Sequence, residues 1–138
     1  MPQFDVAGLA IHLDCENKDF IDSFADYRTC AKGACDLRVD MVRRDYIGIP
    51  RGRRIMDERM IWLAKTGGES GYYIYNRKMN QDSAGVLLDI DPNWENGMLY
   101  YVNLVPVWQY VRNLLGIIFR YRLINHGGLV VHASAVRW

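Results

Sequence analysis

The sequence predicts an α+β fold: an antiparallel sheet of about six or seven strands with two packed helices, the longer near the C-terminus. Three observations lead there. Runs such as "LAIHLD" and "CDLRVDMV" alternate apolar and polar residues with the period of a half-exposed strand. Short turns rich in Gly, Asn and Pro separate the later runs, which favours an antiparallel meander. Two stretches, one after Asn17 and one from Pro106, repeat their apolar residues at helical spacing instead.

In the first strand Leu9, Ile11 and Leu13 face the core, while Ala10, His12 and Asp14 take the wet side, with His12 pointing to solvent. Asn17 then caps a helix with Asp19 in its first turn, favourable against the positive end of the dipole. Phe20, Phe24 and Tyr27, widened by Ile21, form its apolar stripe. From Cys35 to Val42 the alternation is the cleanest in the chain: Cys35, Leu37, Val39 and Met41 on one side, Asp36, Arg38 and Asp40 on the other.

"RRDYIGIPRGRRIMDER" follows, broken by Pro50 and Gly52, and reads as a long loop with a short strand around Tyr46 to Ile49. Three strands come next, Arg59 to Lys65, Tyr72 to Arg77 and Val86 to Ile90, the first two joined across "TGGESG". "DPNWENG" turns the chain into another strand, Met98 to Asn103. Pro106 fits a first helical position, and Val107, Trp108, Val111, Leu114, Leu115, Ile118 and Phe119 give a broad apolar stripe. This longest helix, roughly 18 to 20 residues by its caps, carries Arg120 and Arg122 near its end and closes on Gly127 or Gly128 in the left-handed conformation. The last segment, "GLVVHASAV", predicts a strand buried on both faces, at which the chain stops with Trp138.

The 138 residues fit a single domain, and 17 basic against 16 acidic side chains leave a formal charge of +1. No global field draws the chain to nucleic acid or an anionic membrane. The opening residues lack the pattern of a secretory signal, and the apolar zone Leu114 to Phe119 falls well short of a membrane span, so a cytoplasmic protein without membrane or nucleic-acid partners is expected. Cys15, Cys30 and Cys35 match neither a redox pair nor zinc knuckles and read as reduced structural thiols.

For chemistry the sequence offers little. It contains no nucleophile elbow and no GxxxxGKS/T phosphate loop, and "TGGESG" lacks the lysine such a loop requires. No metal site and no catalytic residue is expected. The surfaces suited to a partner are the arginines of the loop, Arg43, Arg44, Arg51, Arg53 and Arg54, and the tyrosines Tyr73 and Tyr75, since both residue types serve at recognition surfaces. Most such arginines and tyrosines simply solvate a loop or cover a core.

"LLGIIFRYRLINHGGLVVHASAV" resembles a junction of the HPr serine kinase/phosphorylase-like proteins, in the phosphoenolpyruvate carboxykinase-like superfamily. There a long apolar helix runs into Gly-Gly, a strand, a His-Ala-Ser-Ala-Val segment and then a GPSGxGKST loop. "GLAIHLD" and "DLRVDMV" are similar to the N-terminal region of the same proteins in layout, whereas the specific match covers about the last dozen residues. The resemblance implies an N-terminal recognition or structural domain of a serine kinase-like protein, non-catalytic on its own, with a protein or ribosomal peptide as acceptor. It places His132 and Ser134 near a nucleotide site, and assigns ATP and Mg²⁺ to a kinase domain beyond these residues. A stand-alone assembly domain is the alternative: a homodimer paired through Val130 and Val131 on the terminal strand.

Overall fold

The computed structural model describes residues 3–6, 9–27, 35–57, 60–77, 82–125 and 127. Its strands are β1 Gln3–Val6, β2 Leu9–Asp14, β3 Leu37–Arg43, β4 Arg53–Asp57, β5 Ile61–Ala64, β6 Tyr72–Arg77, β7 Ala84–Ile90 and β8 Asn96–Tyr101. Two α-helices, α1 Lys18–Asp22 and α2 Leu104–Asn125, join them, with a short 3-10 turn at Ala25–Tyr27. The class is α+β, mostly sheet, with the long helix near the C-terminus. Residues 128–138, where the expected terminal strand, Gly128, Val130, Val131, His132 and Ser134 fall, lie outside the described residues, as does Cys30.

One eight-stranded sheet runs in the order β1-β2-β3-β8-β7-β6-β5-β4. It is mixed, which corrects the antiparallel expectation. From β4 to β8 consecutive strands pair antiparallel, as short turns dictate, but β2, β3 and β8 lie parallel to one another. The cause is topological. The segment containing α1 lies between β2 and β3, and β8 reaches β3 only after the whole meander, so neither pair is joined by a hairpin.

The first face of the sheet holds the main core. Ile11, Leu13, Leu37, Val39, Val86, Leu88, Ile90 and Leu99 pack there under Phe20 and Ile21 of α1 and Val111, Leu114, Leu115 and Ile118 of α2. Each of the buried α2 side chains contributes on the order of 2 kcal/mol. Asn17 caps α1 as expected, its Oδ1 accepting from the Phe20 N–H at 2.8 Å. The helix ends sooner than its stripe suggested. The Ser23 hydroxyl donates back to the Phe20 carbonyl at 2.6 Å, and Phe24, beyond the helix, packs against the rings of Phe4 and Phe20 at 5.8 and 5.4 Å.

The α2 helix starts at Leu104, two residues before the expected Pro106, and runs back along the sheet toward the starts of β3 and β8. There Arg122 donates to the Asp36 carbonyl at 2.8 Å and pairs with Glu95 at 3.2 Å. Gly127 takes φ +80° after the last turn, and its N–H reaches the Ile124 carbonyl at 3.0 Å. Trp94 locks the same end of the molecule, stacked on Tyr121 with 4.5 Å between centroids and on Tyr72 with 5.4 Å.

Among the described residues, the second face is covered over only part of its width. Ile47, from the segment 44–52, is buried there with Ile61, Leu63, Tyr75, Ala84 and Leu87. That segment was expected to hold a strand near Tyr46 to Ile49, but it makes a single bridge, Gly48 to Ser83. Arg53 and Arg54, expected in the loop, belong to the edge strand β4. His12 is not solvent-facing either. It is half-buried, and its Nε2 is shut off from solvent with no hydrogen-bond partner among the described residues.

Candidate interaction site

Among the concavities of the described surface are three of several hundred Å³. The first has a volume of about 610 Å³ and lies at the ends of β2, β3 and β8, lined by Glu16, Asn17, Arg43, Asp45 and Tyr101. Cys15 sits nearby, and burial pushes its thiol above the ordinary value, the opposite of what a thiolate nucleophile needs. Burial likewise raises the Tyr101 hydroxyl, reinforced by its contact with Cys15. Arg43 is already matched to Asp45 at 3.9 Å.

The second concavity, about 460 Å³, lies on the open part of the second face. Four of its charges pair, Arg38 with Asp40 at 3.2 Å and Lys65 with Asp89, while the Asp91 carboxylate accepts from the Glu95 and Asn96 N–H groups at 2.8 and 3.2 Å. Lys65 also stands 5.0 Å from the Tyr73 ring centroid, and burial, then the Asp89 charge, raises the Tyr73 hydroxyl. Each charged side chain described there thus already has a partner within the fold. Among the described residues no three His, Cys, Asp or Glu side chains cluster in a way that would hold a metal ion.

The third is different. A groove of about 530 Å³ separates the β4–β5 margin of the first face from α2. Trp62, Met60 and Met56 line the sheet side; Arg112, Asn113, Gly116, Ile117 and Arg120 line the helix side. Arg112, Gly116 and Arg120 fall at i, i+4 and i+8, one stripe along α2. Both arginines are exposed, and among the described residues no carboxylate lines the groove and neither arginine has an ion-pair partner. A Cβ added at Gly116 meets nothing within 4 Å.

β4 forms the outer wall. It is last in the sheet order, all five of its residues are exposed, and no strand pairs with its outer side among the described residues. Between Arg54 and Met56 its register against β5 slips. Arg54 pairs with Leu63, a second-face residue, and Met56 with Trp62, which faces the groove. The bulge thus turns Met56 toward the groove. Ile55 and Met56 are 47% and 43% exposed, much for apolar side chains on one short strand.

The structure does not gather the five arginines of the sequence reading into one cluster. Arg43 and Arg44 stay at the end of β3, Arg44 over the Tyr100 ring at 5.4 Å. Arg51, Arg53 and Arg54 reach the β4 edge, where Arg54 pairs with Asp57 at 2.7 Å. Tyr75 is 1% exposed, a core residue of the second face, and Tyr73 is half-buried beside it. Met56, Met60, Trp62, Arg112, Gly116 and Arg120 were not singled out from the sequence as partner-binding residues. The Arg-Gly-Arg spacing on the helix was a legible signal for half of them.

Compared with family models, curated proteins and solved structures, the chain matches none. No helix among the described residues is long and apolar enough to cross a membrane.

Proposed function

We propose that the chain is a non-catalytic recognition domain of a serine kinase-like protein, binding a protein or peptide acceptor at the β4 edge and the groove beside it. The outer side of β4, unpaired among the described residues, carries this reading, because its backbone N–H and C=O groups offer a template for an added strand. The groove supplies what a bare edge lacks, pockets for side chains. "HGGLVVHASAV", similar to the kinase-like junction, supports the assignment to such a protein. On that reading phosphoryl transfer with ATP and Mg²⁺ is the work of a kinase domain, since no phosphate loop occurs among these residues. His132 and Ser134 would lie near its nucleotide.

Selection of binders from a random peptide library displayed on phage tests the reading. Binders that are lost when Met56→Lys replaces the wild-type target support recognition at this site. Failure to enrich any peptide, or enrichment indifferent to Met56→Lys, contradicts it. The rival reading, an assembly domain dimerised through Val130 and Val131, predicts a mass by light scattering that rises with concentration and falls back with Val130→Lys.

A further inference from the structure

An added strand on β4 would continue the row that Met56 and Trp62 begin, because side chains directly across a ladder share a face. Alternate residues of that strand therefore point over the groove. The groove's walls specify their chemistry. Trp62 and the thioethers of Met56 and Met60 offer an apolar, adaptable floor. Arg112 and Arg120 offer two guanidinium groups without an ion-pair partner among the described residues, and Gly116 between them leaves room.

Spacing sharpens the match. Arg112 and Arg120 are eight residues apart on α2, a rise of about 12 Å. In a strand, residues i and i+4 are about 13 Å apart. The helix runs back from the end of β8 toward its start, so its axis follows the strands. A strand beside β4 thus brings positions i and i+4 level with the two arginines and position i+2 level with Gly116.

We infer that the site takes an extended acidic segment of a partner protein, patterned acid-x-apolar-x-acid, added as a strand to β4 with its carboxylates on Arg112 and Arg120 and its apolar side chain opposite Gly116. This deepens the recognition reading and rests on it. Nucleic acid fits less well: phosphate would satisfy the arginines and a base could stack on Trp62, but the strand edge of β4 would go unused.

Fluorescence anisotropy of labelled synthetic peptides titrated with the full chain provides the test. The probes are Glu-Ser-Leu-Ser-Glu flanked by serines, its lysine counterpart with both glutamates replaced, and the glutamate peptide N-methylated at alternate amides. The glutamate peptide is expected to bind, about tenfold weaker or worse to Arg112→Glu/Arg120→Glu. The lysine peptide is expected to bind that double variant and not the wild type. N-methylation at one alternation and not the other should abolish binding, and Gly116→Phe should block it while the variant stays folded by circular dichroism.

Equal binding of the lysine and glutamate peptides, sensitive to Met56→Lys, would overturn the acidic pattern and leave edge recognition standing. Binding by no peptide would remove both. Tighter binding of single-stranded oligouridylate that displaces the peptide would assign the arginines to nucleic acid. Self-association abolished by Gly116→Phe would assign the groove to a second copy of the chain.

Discussion

Met56 on β4 stands directly across the ladder from Trp62 on β5, and it does so only because the register slips one step after Arg54. Without that bulge Met56 would share the face of Arg54 and Leu63, away from α2. Met56→Lys is therefore expected to remove the apolar wall of the groove at little structural cost. With 43% of the residue exposed, the loss of stability should stay below about 1 kcal/mol. Urea unfolding of the variant checks this, and a loss of several kcal/mol would mean that Met56 is a core residue.

Gly116 lies inside a 22-residue helix and no neighbour crowds its missing side chain. Gly116→Ala should stabilise the chain by about 1 kcal/mol through helix propensity. The expected sign in chemical denaturation is positive. A destabilised variant would show that the helix needs close approach at this position.

Gly71 has the opposite constraint. It adopts φ +109°, and a Cβ there would lie 2.3 Å from the Ile90 carbonyl oxygen, on the neighbouring strand's backbone. Gly71→Ala combines backbone strain with that collision and should cost more than about 2 kcal/mol. A thermal midpoint equal to wild type would contradict the close packing of the β6 start against the end of β7.

The alkaline limb of stability should report Cys15 and Tyr101. Burial raises both above their ordinary values of 9.0 and 10.0, so the folded state keeps protons that the unfolded chain releases. The stability they provide is full below those values and is lost as pH rises through the higher folded ones. Thermal midpoints of wild type should fall progressively above pH 9, and Tyr101→Phe should flatten the fall above pH 10. An identical decline in the variant would contradict the role of Tyr101.

Legibility in the sequence followed burial. β3 announced itself because one side is core and the other wet, giving the pattern of Leu37, Val39 and Met41 against Arg38 and Asp40. The α2 helix did so through Val111, Leu114, Leu115 and Ile118. The two edge strands were missed. In β4 every residue is exposed, so no period of two is written into it, and β1 is only four residues long. The parallel pairs of β3 were hidden because they join segments distant in sequence, which local pattern cannot register. The groove was half legible: Arg112, Gly116 and Arg120 share a helical stripe, whereas the place of Met56 depends on a bulge.

Amide hydrogen exchange across Arg53–Asp57, with and without the glutamate peptide, reads strand addition at β4 residue by residue. Strand addition predicts that alternate β4 amides, those facing outward, slow markedly on binding while the inward ones, bonded to β5, change little. Peptide binding that leaves β4 exchange unchanged would contradict the account.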